Sequence, residues 1–487
     1  MGGPYEKPPD NGFGIAHFEM IIPSQWFTGL TENYWDPLLH ESAVMLREAG
    51  ITWNRFEFAW SYVQPEAGVW VWDDLDAYLN VSDHYGLRIL PVVAYGTPWA
   101  CEGGDYLAPV TNQSAWREFV RTLVLRYKDR PSLDGWWQVW NEANIDGFFH
   151  GKYPEEFIPT MVAAAEEIKA ADPGARVVAN ALTGRDMGAL VTEMVDAVGR
   201  ERFNELFDAV DVHPYAGTIE EITSKIRSAK DALAGWYSGE LWITEVGWST
   251  SGRPPLALKQ EYQAQIIGKA LVQSRALSVT HAFVHMWCDW GWVNGTPKVQ
   301  DPDNAEHWFG IVDAWANPKP AYYAYKVTAN LLGRSTYLGD PVVDRGPLSG
   351  GVVVHAFQHE NGSTIFSYWS AREQGTRFEL EGPLQGRFQV LDSTGRVVGG
   401  ANGTREIGLE ASSSLSFVVF TPQWGSANAS AEARDWSVGA LFTWQALVVL
   451  VMLPTSGVAA AVGAWRGWRS AGSEPARSKT SRKPVAT

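Results

Sequence analysis

Between Gly12 and about Arg334 the chain alternates short apolar runs with longer stretches whose apolar residues recur every three or four positions. The short runs begin near Gly14, Trp53, Arg88, Trp136, Ala175, Val210, Leu241 and Ala282, about 30 to 50 residues apart. That spacing leaves room for a helix after each strand, as a crossover between parallel strands requires. The segment "AWREFVRTLVLRYK" (115–128) places Phe119, Leu123 and Leu125 toward one face, and "PEEFIPTMVAAAEEIKAA" starts at Pro154, a natural first helical residue. Eight consecutive strand–helix units predict an α/β fold, a (β/α)₈ TIM barrel over residues 1–334. Neither GxGxxG after the first strand nor GxxxxGKS/T occurs, so phosphate-cradling folds lose support.

From about Ser335 the period changes to two. "GGVVVHAFQH", "STIFSYWS", "TRFELEG", "GRFQVLDS" and "SLSFVVFTP", separated by turn signals such as "HENGS" and "DSTG", predict a small antiparallel β-sandwich over 335–422. It lacks an evident exposed aromatic ladder, which favours bracing of the barrel over binding of sugar. Residues 423–437 read as a short linker. Residues 438–464, "VGALFTWQALVVLVMLPTSGVAAAVGA", carry no charge, and 27 such residues suffice for a transmembrane helix.

Composition sharpens this. The net charge is −16, but residues 465–487 hold six Arg and Lys against Glu474 alone, a tail of +5 that leaves −21 for everything before it. An acidic body repels polyanions, which argues against nucleic acid. A basic tail beside an apolar span is the side that stays cytoplasmic, so a cell-membrane protein with a single span and an extracellular body is expected. The first residues, "MGGPYEKPPDNG", contain no signal peptide, so this topology implies that one has been trimmed. Two cysteines, Cys101 and Cys288, allow no disulfide framework, and neither HExxH nor clustered His/Cys spacing marks a zinc site. No metal and no cofactor are expected. The 25 tryptophans hint at sugar stacking, though core packing accounts for most of them. Nothing in the chain speaks to oligomeric state.

In such a barrel the chemistry sits at the C-terminal ends of the strands. Reading those ends in order gives His17 and Glu19, Arg55 and Glu57, Tyr95, Asn141 and Glu142, His213 and Tyr215, Glu245, and Trp287. Two carboxylates close apolar strands, Glu142 in "WQVWNEANI" and Glu245 in "LWITEVGWST", and burying them there needs a reason. Glycoside hydrolysis supplies one, because it uses a proton donor and an ionised partner across the anomeric centre. Arg55 and Tyr215 can hold Glu245 ionised, whereas Glu142 is flanked by Trp140 and has no obvious cationic neighbour. His17 and His213 suit either a structural hydrogen bond or substrate contact. Trp99, Trp290 and Trp292 follow strand ends and are candidate sugar platforms.

Trp-Asn-Glu closing the fourth strand and Thr-Glu in the seventh resemble the clan A retaining glycoside hydrolases. With "GITWNRFEFAWSYVQPEAGVWVWDDLDAYL", "VDVHPYAG" and "HWFGIVDAWANPKPAYYAY", the resemblance over about residues 12–334 is to families 39 and 5. It implies Glu142 as acid/base, Glu245 as nucleophile, Asn141 on the sugar 2-hydroxyl, Arg55 and Tyr215 setting the nucleophile, and Trp287 as the floor of the −1 subsite. Ala143 departs from the proline usual after Trp-Asn-Glu. The implied activity is a retaining β-glycosidase acting on an oligo- or polysaccharide outside the cell. Two alternatives stay open: a catalytically silent carbohydrate-binding or adhesion protein on the same fold, and a transglycosylase.

Overall fold

The computed structural model describes residues 4–18, 37–252, 256–290, 292–293, 296–297, 300–341, 343–344, 351–371, 375–381, 386–403 and 406–421. The linker, the apolar 438–464 segment, the basic tail and Glu19 lie outside the described residues. Among the described residues no helix is long and apolar enough to cross a membrane.

Eight parallel strands close on themselves: β1 (Phe13–Ala16), β2 (Trp53–Ala59), β3 (Arg88–Ala94), β4 (Trp136–Val139), β5 (Arg176–Val178), β6 (Ala209–His213), β7 (Glu240–Val246) and β8 (His281–His285). Closure comes from β1, which pairs with β2 through Gly14 and Trp53 and with β8 through Phe13 and Ala282. Gly14 is required by packing, since a Cβ there would lie 2.3 Å from the Phe283 ring. Just past the short strand β5, Asn180 Oδ1 accepts from Ala143 N–H at 3.1 Å, and the chain then pairs with β6 again at Leu182–Thr183.

Apolar side chains alternating inward fill the barrel below the mouth: Trp53, Leu90, Trp136, Val178, Ala209, Trp242 and Phe283 form one buried cluster. Trp136 and Trp137 are both core, and Trp60, Trp116, Trp140, Trp242, Trp287 and Trp369 are fully buried as well. Packing therefore accounts for many of the tryptophans that composition alone left open to sugar binding.

Two helical expectations change. In the Gln113–Tyr127 helix, capped by the Asn112 side chain, Phe119 and Leu123 are buried with Trp116, Val120, Val124 and Tyr127, but Leu125 is 52% exposed. Two residues along a helix is more than half a turn, so Leu125 cannot share the face of Leu123. The next helix starts at Ile158 rather than Pro154, after a turn over 153–157, with Pro159 in its first turn.

Beyond Arg334 the chain forms a six-stranded and a three-stranded antiparallel sheet. Val354, Ala356, Phe366, Tyr368, Phe388, Val418 and Phe420 of the larger sheet pack with Phe378, Leu380 and Ile407 of the smaller. The sequence pattern marked five strands here and missed Ser335–Gly339, Val343–Asp344, Val397–Gly403 and Glu406–Ala411. "VVGGANG" is too glycine-rich to show alternation. The Leu256–Ala276 helix of the barrel joins the larger sheet. Gln265 donates to Ser393 Oγ (3.0 Å) and accepts from Leu415 N–H (2.6 Å), and Lys269 donates to the Ser413 carbonyl (2.6 Å) with its ammonium 5.7 Å from the Trp369 ring centre.

Candidate active site

The strand ends converge on one buried guanidinium. Arg55, on β2 and 1% exposed, donates through Nε to Gln138 Oε1 (2.7 Å), through Nη1 to Glu245 Oε1 (2.6 Å) and through Nη2 to Asn141 Oδ1 (2.7 Å). One rigid fork therefore fixes groups from β4 and β7 relative to β2. The Tyr215 hydroxyl donates to Glu245 Oε2 at 2.7 Å. Burial and the Glu245 charge push the Tyr215 phenol well above its ordinary value, so it stays a donor. Burial alone would raise the Glu245 carboxyl. The charges of His213, His285, Arg55 and His17 outweigh it and hold the group well below the usual carboxylate range.

Glu142 sits on a strained segment. Trp140 and Glu142 have φ of 66° and 44°, and His17 across the mouth has 59°; these are three of the five described non-glycine residues with positive φ. Left-handed backbone at non-glycine residues costs about 1–3 kcal/mol each and persists where surrounding contacts enforce it. Here Trp140 is fully buried with its Nε1 on the Phe148 carbonyl (3.0 Å), and Ala143 N–H is held by Asn180.

Contrary to the expectation from sequence, Glu142 has a cationic neighbour: His213 Nδ1 lies 2.7 Å from its Oε1 and 3.7 Å from Glu245 Oε2. Burial opposes the charge on His213, but Glu245, Asp211 and Glu142 together push it up to about 10. Carboxylate oxygens of Glu142 and Glu245 fall within 4.8 Å of each other. Retaining pairs stand about 5–5.5 Å apart and inverting pairs about 6.5–9.5 Å, where a water must fit between them and the sugar.

The other candidates divide. Asn141 and Arg55 are in place, and His17 is at the mouth, its side chain 21% exposed and Nε2 3.9 Å from Glu245 Oε1. His213 is fully buried with both nitrogens engaged, the arrangement of the structural hydrogen bond considered from sequence. Trp287 is also fully buried, against Phe18 and Tyr322 at centroid distances of 6.1 and 6.3 Å. Trp99 is half-buried against Trp60, its Nε1 bonded to the Gln64 carbonyl. The Trp292 side chain lies outside the described residues.

Sequence reading missed His285, which closes β8 with Nδ1 3.6 Å from Glu245 Oε2 and its ring edge-on to His17 at 5.3 Å. It also missed Gln138, Asp211 and Thr244 behind the carboxylates. The alternation Asp211–His213 on β6, continued to Tyr215 just past its end, was the available signal, since alternate strand residues share a face. His17, His285 and Glu245 form a donor set that a zinc-class ion accepts. Against such an ion, both oxygens of Glu245 are already taken, Oε1 by Arg55 Nη1 at 2.6 Å and Oε2 by the Tyr215 hydroxyl at 2.7 Å.

No family model matches the chain. The β-xylosidases of Caldicellulosiruptor saccharolyticus and Geobacillus stearothermophilus are 24% and 23% identical over 267 and 281 residues, 51% and 50% of this chain and 52% and 53% of those proteins. The chain thus spans about half the length of the curated relatives it matches. Among solved structures it resembles a family 39 glycoside hydrolase from Bacteroides cellulosilyticus, with TM-score 0.65 and 20% identity over 85% of this chain and 81% of that one. It also resembles a GH39 β-xylosidase from Caulobacter crescentus, with TM-score 0.58 and 17% identity over 86% and 98%. A GH30 xylanase catalytic domain from Talaromyces cellulolyticus aligns with TM-score 0.53 and 13% identity over 86% and 98%. These likenesses show the shared barrel fold.

Proposed function

We propose that this chain is a retaining β-glycosidase. The observation that carries the reading is the pair Glu142 and Glu245, with oxygens within 4.8 Å and only one of the two gripped by a guanidinium. Glu245, held ionised by Arg55 and Tyr215, attacks the anomeric carbon; Glu142 protonates the departing oxygen. The C1–O bond breaks with its electron pair on the leaving oxygen, and a glycosyl ester forms on Glu245. Water, deprotonated by Glu142, then cleaves that ester with net retention. Asn141, its carbonyl oxygen taken by Arg55, has its amide N–H groups left to donate to the 2-hydroxyl.

The curated relatives are named β-xylosidases, which makes an aryl β-xyloside the first substrate to try, beside β-glucosides and β-glucan or β-xylan oligomers. Following the anomeric protons of fresh product by NMR tests the reading. The β-anomer appearing first supports it, and the α-anomer first would make the enzyme inverting and remove Glu245 as a nucleophile.

The uncharged 438–464 segment with its basic tail supports the proposal that the enzyme is tethered to the cell membrane with the barrel outside. Protease added to intact cells then removes the barrel and leaves the tail. A protected barrel with an accessible tail would reverse the orientation.

A further inference from the structure

The hydrogen-bond chain behind Glu142 has one self-consistent proton assignment. Asp211, fully buried on β6, accepts from Thr244 backbone N–H (2.8 Å), Gln138 Nε2 (2.6 Å) and the Thr244 hydroxyl. A hydroxyl that has given its hydrogen to Asp211 can only accept from its other neighbour, His213 Nε2, 2.9 Å away. Nε2 therefore carries a hydrogen. Nδ1 of the same ring lies 2.7 Å from Glu142 Oε1, too close for two lone pairs, so a hydrogen lies in that contact also.

Its location decides the chemistry. On Oε1, the acidic proton of Glu142 would point at a fully buried ring, away from any substrate. On Nδ1, His213 is a cation that occupies Oε1, and a proton carried by Glu142 is confined to Oε2. Two carboxylates favour the second arrangement, Asp211 at 3.5 Å and Glu245 at 3.7 Å from the ring nitrogens, while Oε1 of the protonated Glu142 accepts the Nδ1 hydrogen.

We propose that His213, oriented by Asp211 through Thr244, is a fixed cationic donor that confines the transferable proton of Glu142 to Oε2. His213 is a positioning residue and transfers no proton itself. In the first step the Oε2–H bond breaks and its proton passes to the leaving oxygen. Nδ1–H keeps its bond to Oε1 and meets the new negative charge. In the second step water returns a proton to Oε2.

The proposal rests on the glycosidase reading, and two measurements on the full chain separate them. Thr244→Val keeps the backbone bond to Asp211 and removes the hydroxyl link. It should cut kcat/KM for a 4-methoxyphenyl glycoside by about 10- to 100-fold, the equivalent of one charged hydrogen bond, and for the 2,4-dinitrophenyl glycoside by less than about twofold. A merely structural link would lower both alike, and that result overturns the proposal. ¹⁵N NMR of histidine-labelled protein, with His213→Gln to assign the signals, should show both His213 nitrogens protonated from pH 5 to 8. A singly protonated ring in that range overturns the proposal whether or not any glycoside is turned over. If the native chain cleaves no β-glycoside, the function reading fails while the spectrum still decides the state of His213.

Discussion

Replacing Glu142 by alanine should separate the two halves of the reaction. The substitution removes the proton donor but leaves Arg55, Tyr215 and Glu245 as they are, because none of their hydrogen bonds involves Glu142. It also strips the buried His213 Nδ1–H of its acceptor, a cost of about 1–3 kcal/mol in stability. General acid catalysis contributes about 100- to 10,000-fold. For an unactivated leaving group, such as a sugar hydroxyl, kcat/KM should therefore fall by that factor, or about 2.7–5.5 kcal/mol in the barrier. A 2,4-dinitrophenolate leaves without protonation, so kcat/KM for its glycoside should stay near the native value. Its kcat should drop, because no base remains to activate water and the glycosyl-enzyme accumulates. Azide, an anion that fits beside the His213 cation, should then restore kcat and give the β-glycosyl azide. The assay is steady-state kinetics on both substrates with and without azide, with mass and NMR analysis of the product. Equal losses on both substrates and no azide adduct would refute the acid/base assignment.

Raised proton affinity at His213 sets the alkaline behaviour. Its folded value of about 10 exceeds the ordinary 6.5, so its contribution to stability is complete below about pH 6.5 and is lost as pH rises through about 10. Melting temperature should fall across that window, and His213→Gln should flatten the fall; equal slopes would contradict the assignment. Leu90→Ala, in the barrel core below the mouth, should cost about 2–5 kcal/mol in denaturant melts while leaving kcat/KM at 25 °C near native. A large kinetic effect at unchanged stability would mean that the core positions the strand ends more directly than described.

The barrel was legible because each strand is a short apolar run followed by a helix, and that repetition survives without knowledge of contacts. Glu142 and Glu245 were legible because a carboxylate ending such a run is costly unless used. The cationic partner of Glu142 was not legible. His213 and Glu142 are 71 residues apart and meet only because β4 and β6 lean toward the same mouth. His285 went unmarked for a related reason: standing at a strand end says nothing of which way a ring turns, and here its Nδ1 lies 3.6 Å from Glu245 Oε2. Leu125 misled through arithmetic, since apolar character was counted without its helical angle.

The central claim is that Glu245 becomes covalently bonded to the sugar. Incubation with a 2,4-dinitrophenyl 2-deoxy-2-fluoro-β-glycoside, whose fluorine slows breakdown of the intermediate, followed by proteolysis and mass spectrometry, tests it most directly. The account predicts one added fluorosugar on the peptide containing Glu245, and no labelling in Glu245→Gln. A label on Glu142, or turnover of the parent glycoside with no covalent adduct formed, would contradict it.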